Sequence, residues 1–195
     1  MARFTYLTST MLIAFIFAFI TPVIHATMQP SVIETTCNAL ATLGFEIKDL
    51  VLTVATTQNS NGLIDVYEEF DDLFNSVLDD IELMTGSSVM QSQSDQQLVY
   101  EAYSNFVQSL FELTDSLSTS ATVYVNLDST TEYKIPASVR SLGGVVDAYF
   151  ANLIGLFPAN TSYTTQSNNQ KGQVDTHFRQ TVHAFHLVAA KTGGS

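Results

Sequence analysis

The chain has 195 residues, 46% of them hydrophobic, with a formal net charge of −12 and a pI near 4.4. That length suits one domain with a substantial core, and that charge disfavours nucleic acid and anionic membrane surfaces as partners. The single cysteine, Cys37, rules out an intramolecular disulfide framework.

The N-terminus reads as a secretory signal peptide over residues 1–26. Arg3 precedes an unbroken apolar run from Met11 to Ile20, Thr21-Pro22 interrupts it, and Ala26 supplies the small residue at the cut. The run is too short to cross a bilayer, which takes about 20 residues. The mature protein is therefore expected to begin near Thr27 and to form one helical domain over 27–195, secreted to the extracellular space with no membrane span. The terminal Lys191-Thr-Gly-Gly-Ser195 offers no hydrophobic tail for a glycolipid anchor.

A first helix is predicted from Pro30-Ser31 to about Thr56, with Ser31 and Glu34 at capping-box spacing. Ile33, Cys37, Leu40, Gly44, Ile47, Val51 and Val54 form its apolar stripe, which buries the Cys37 thiol. After a polar turn, Gln58 to Gly62, a second helix runs from Leu63 to Met84. Leu63, Phe70, Val77 and Met84 repeat every seven residues, and Tyr67, Phe74 and Ile81 lie between them. Asp65, Glu68, Glu69, Asp71, Asp72, Asp79, Asp80 and Glu82 are expected to project from that stripe into solvent. Glu68 and Asp72 are one turn apart, but no loop with carbonyls and a tight glycine turn supports a calcium site there.

The third helix is predicted to start with a capping box at Ser94 and Gln97 and to be the central one. Val99, Tyr103, Phe106, Leu110, Leu113 and Leu117 alternate four and three apart, and Tyr100, Val107 and Phe111 widen the stripe past half the circumference. Val123, Val125 and Leu127 alternate as a strand would. No second strand pairs with them, and Leu117, Ala121 and Tyr124 continue the helical stripe, so the helix is extended to about Leu127.

Asp128 to Lys134 reads as a polar connection. Pro136 suits the first turn of a fourth helix, whose stripe is Val139, Leu142, Val146, Tyr149, Leu153 and Leu156, widened by Val145, Phe150, Ile154 and Phe157 and stopped by Pro158. Pro158 to Gly172, rich in Asn, Thr, Ser and Gln, is expected to be a solvated loop. It holds Asn160-Thr161-Ser162, an acceptor triplet for N-glycosylation at Asn160. A last helix carries Val174, Phe178, Val182, Phe185 and Ala189. His183 and His186 sit off its stripe and read as surface residues. The expected fold class is all-α, an antiparallel bundle of about five amphipathic helices.

The sequence offers no Gly-x-Ser-x-Gly elbow, phosphate-binding glycine loop, His-Glu-x-x-His or reactive-cysteine context. No catalytic residue, metal ligand or cofactor is therefore assigned. A signal peptide followed by five long amphipathic helices resembles the fungal hydrophobic surface binding protein family, which also includes the repeats of cell wall galactomannoproteins. The resemblance covers roughly Val32 to Ala190 and rests on QQLVYEAYSNFVQSLFELTDSLSTSATVY and IPASVRSLGGVVDAYFANLIGLFPAN. It rests on apolar spacing, and the chain is poorer in Ala and Lys and richer in Phe and Tyr than typical members.

The resemblance implies a non-enzymatic protein that adsorbs to a hydrophobic surface, recruits a secreted hydrolase there, or captures a fatty acid. A sixteen-carbon acyl chain offers roughly 12 kcal/mol from burial before ordering costs are deducted. The wide apolar arcs of the third and fourth helices nominate Tyr103, Phe106, Leu110, Tyr149, Phe150 and Leu153 as the lining, with tyrosine hydroxyls meeting a headgroup. The alternative is a secreted interaction protein, an effector or hydrolase inhibitor, docking a basic partner on Glu68, Asp72 and Asp79. A likeness to plant invertase inhibitors is set aside, because those bundles use paired cysteines.

Overall fold

A computed structural model describes residues 28–192, and the signal peptide expected over 1–26 lies outside them. Five helices follow in order: α1 (Pro30–Thr57), α2 (Gly62–Met84), α3 (Gln93–Leu127), α4 (Thr131–Ile154) and α5 (Ser162–Thr192). No strand occurs among the described residues. The extension of α3 to Leu127 holds: Tyr124 is fully buried, and its hydroxyl donates to the Val51 carbonyl at 3.2 Å.

Several predicted boundaries move. Residue Gln29 precedes α1 with Pro30 in the first turn and no side-chain cap, so Ser31 does not cap. Glu34 instead accepts from Asn38 Nδ2 at 3.3 Å. The cap of α3 is Ser92, whose Oγ accepts the Asp95 amide at 3.4 Å, two residues before the predicted Ser94. Helix α4 starts at Thr131, so Pro136 lies inside it rather than in its first turn. The start is set by Asp128, whose carboxylate accepts both the amide and the hydroxyl of Thr130 at 2.8 Å. The expected loop from Pro158 to Gly172 is a short turn followed by α5 from Ser162. Thr161 Oγ1 accepts the Thr164 amide at 3.2 Å and so serves an unpaired donor of that helix's first turn.

Around the bundle the helices follow the order α1, α3, α5, α4, α2, and α2 closes on α1. The most buried helix, α3, is thus one stave of the ring and not a central rod. Successive helices alternate in direction, but the bundle is not antiparallel throughout. Residues 38 and 48 of α1 meet 105 and 112 of α3, so those two run parallel. Helices α3 and α5 also run parallel, with Tyr103 against Ser167 and Thr114 against Thr181. The close approach of α1 to α3 depends on Gly44, where an added Cβ would collide with the side chain of Ser109. Ser109 Oγ bonds within its own helix, donating to the Phe106 carbonyl at 2.8 Å.

Candidate functional site

The six nominated residues come together, and all are fully buried: Tyr103, Phe106, Leu110, Tyr149, Phe150 and Leu153. Their rings interlock edge to face. Tyr103 and Phe150 have centroids 4.7 Å apart, Phe106 and Phe150 5.7 Å, and Phe106 and Tyr149 6.0 Å. Offset ring edges of this kind fill a core, and pairs add to area burial. Neither nominated tyrosine hydroxyl waits for a headgroup. Tyr103 donates to the Ser167 carbonyl at 2.8 Å, and Tyr149 Oη lies 3.0 Å from Cys37 Sγ. The wide arcs of α3 and α4 are thus spent on packing the two helices across the ring.

One open space, among several on the described surface, lies a seam away between the antiparallel α4 and α5. A groove of about 400 Å3 is lined by Val139, Gly143, Gly144, Phe178 and Val182, with Arg140, Asp147, Asp175 and Arg179 along it. Two adjacent glycines make it. Gly144 has no atom within 4 Å of where a Cβ would stand, and at Gly143 that position lies 3.4 Å from the Phe178 ring. A smaller hollow of about 10 Å3 shares Gly143, Asp147, Asp175 and Phe178 with the groove and reaches Phe150. Phe150 is the nominated residue that this seam touches. The groove's 400 Å3 lies within the range of small-molecule sites, about 300–1,000 Å3.

The seam also gathers cations. Of the seven Lys and Arg residues in the chain, Arg140, Arg179 and Lys171 border it. Lys171 pairs with Asp147 across the seam, and Arg179 Nη2 pairs with Asp175 at 2.6 Å along α5. Arg140 Nη2 meets His186 Nε2 at 2.9 Å. No apolar periodicity marks this groove, because four of the five residues on its floor are glycine or valine, which leave no wide apolar arc. The Gly143-Gly144 pair in mid-helix was the available signal, since two glycines there cost helix stability without a turn to explain them.

The expected surface character of α2 holds for six of its eight acids, with Glu69 half-buried and Asp80 buried. Glu68, Asp72 and Asp79 are exposed, but Asp80 turns inward and is 8% exposed. Burial raises its carboxyl to about 6, against a hydrogen bond from Thr36 that lowers it. Cys37 beside it is buried as expected, and burial pushes its thiol up to about 12. His183 and His186 are exposed, and His177 Nδ1 lies 3.1 Å from Asp115. Among the described residues no three of His, Cys, Asp and Glu come together as a metal site would require.

Exposed large apolar side chains concentrate toward the ends of the bundle. Leu52, Ile64, Tyr133 and Leu187 lie toward the end where α1, α3 and α5 finish, with Tyr133 70% exposed. Asn160 sits at the opposite end, exposed and at φ 68°, a left-handed conformation that asparagine tolerates. No described helix is long and apolar enough to cross a membrane. No protein-family model, no curated protein and no solved structure matches the chain.

Proposed function

We propose that this is a secreted, non-enzymatic binding protein that holds a fatty acid or similar lipid and adsorbs to hydrophobic surfaces outside the cell. The observation that carries this reading is the α4–α5 groove of about 400 Å3, with Val139, Phe178 and Val182 on its floor and Arg140, Asp147, Asp175 and Arg179 along it. An acyl chain lying there removes its methylenes from water at about 0.8 kcal/mol each where covered. One end of it approaches Phe150, and the interlocked rings of Tyr103, Phe106 and Tyr149 form a firm wall behind that residue. Adsorption falls to the end of the bundle carrying Leu52, Ile64, Tyr133 and Leu187, with a glycan on Asn160 facing away at the other. The fungal resemblance supports the same class of activity, including recruitment of a secreted hydrolase to the coated surface.

Native mass spectrometry of protein taken from culture medium, before and after adding palmitate, tests the reading together with depletion onto polystyrene beads. Bound lipid or palmitate uptake, and loss of protein from solution onto the beads, are the expected results. An empty protein that ignores both palmitate and beads contradicts it.

A second reading draws on α2, where the exposed acids Glu68, Asp72 and Asp79 are interspersed with exposed Ile64, Leu78 and Leu83. Acid and apolar groups on one face suit a basic protein partner with apolar anchors. Charge reversal at Glu68, Asp72 and Asp79 would then abolish capture of that partner and leave palmitate uptake unchanged.

A further inference from the structure

We infer that the α4–α5 groove selects an amphiphile with an anionic headgroup, a single-chain carboxylate, and that Arg140 is the residue that grips it. This rests on the groove being the acyl site.

In a chain of net charge −12, an apolar trough would be expected to have an acidic rim. Here the rim is different. Two aspartates line the groove, and each is already matched: Asp147 by Lys171, Asp175 by Arg179. That leaves Arg140 as the groove's surplus charge. It meets an imidazole nitrogen, His186 Nε2, at 2.9 Å and pairs with no carboxylate among the described residues. A guanidinium carries five donors in a planar fork, of which one is directed at His186.

A carboxylate is the group that the fork fits with two parallel bonds. The apolar floor beside it, Val139, Gly143 and Phe178, then receives the chain. An uncharged alcohol of the same length gains the floor but not the fork. A cationic amphiphile gains the floor and meets Arg140 head on.

Titration of the full mature protein with laurate and with lauryl alcohol, by calorimetry, separates the parts of this account. Laurate is expected to bind at least about tenfold more tightly than the alcohol, the scale of one charge-assisted contact. Arg140→Gln should bring laurate down to the alcohol's affinity without moving the alcohol. Gly144→Leu fills open space, so it should weaken both ligands about tenfold or more with no fall in melting temperature. If laurate and alcohol bind alike and Arg140→Gln changes neither, the headgroup inference is overturned while the acyl groove stands. If neither ligand binds, or if Gly144→Leu leaves both untouched, the groove reading falls and the inference with it.

Discussion

Two buried groups on facing helices, Cys37 and Asp80, show how environment sets chemistry at the scale of a residue. The Cys37 thiol is raised to about 12 chiefly by burial, so almost no thiolate forms at neutral pH. A maleimide should leave the folded protein unlabelled and react fully in denaturant; rapid labelling of the native state would contradict the packing around Tyr149. Asp80 is raised from 3.8 to about 6 in the folded chain, chiefly by burial. The folded state therefore binds more protons than the unfolded state between those values, and stability falls as pH rises through that window. Asp80→Asn should then stabilise the protein at pH 7.5 by roughly 1–3 kcal/mol. The two proteins should converge below about pH 4, where both side chains are neutral. Urea titrations at the two pH values check this, and an equal gap at both would show that charge burial is not the cause.

At the scale of elements, Gly144 is an exposed mid-helix glycine with nothing near its missing Cβ. Gly144→Ala should raise stability by about 0.8–1 kcal/mol through helix propensity alone, read as a shift in the urea midpoint. A loss of stability would mean that the glycine is needed for packing instead.

The stripes of α1 to α4 were legible because their buried faces are apolar and periodic. The first half of α5 was not. It turns Ser167 inward, fully buried, and sets Gln170 against Ser104 on α3. Thr181 likewise donates to the Thr114 carbonyl at 3.1 Å. A helix that docks through hydroxyls and amides carries no hydrophobic period, so its polar composition reads as a loop. The caps were misplaced by a milder version of the same ambiguity, since Ser92 and Ser94 both precede α3 and their hydroxyls bond each other at 2.6 Å. The groove stayed hidden for a different reason. It is defined by side chains that are missing at Gly143 and Gly144, and by the meeting of two helices whose register no periodicity reveals.

For the whole molecule, the apolar surplus of the sequence is divided between two places. Most is consumed by a core in which Tyr103, Phe106, Tyr149 and Phe150 interlock. The remainder shows on the α4–α5 seam, toward the ends of the bundle and among the acids of α2, with Asn160 elsewhere on the surface. On the proposed reading the ligand contacts stay at the periphery, so uptake need not open the core. Amide chemical-shift mapping by NMR during a laurate titration tests that division most directly. Shifts confined to Val139 through Asp147 on α4 and Asp175 through Val182 on α5, with Phe106 and Leu110 silent, are predicted. Large shifts across Phe106, Leu110 and Tyr149, or none anywhere at saturating laurate, would contradict the account.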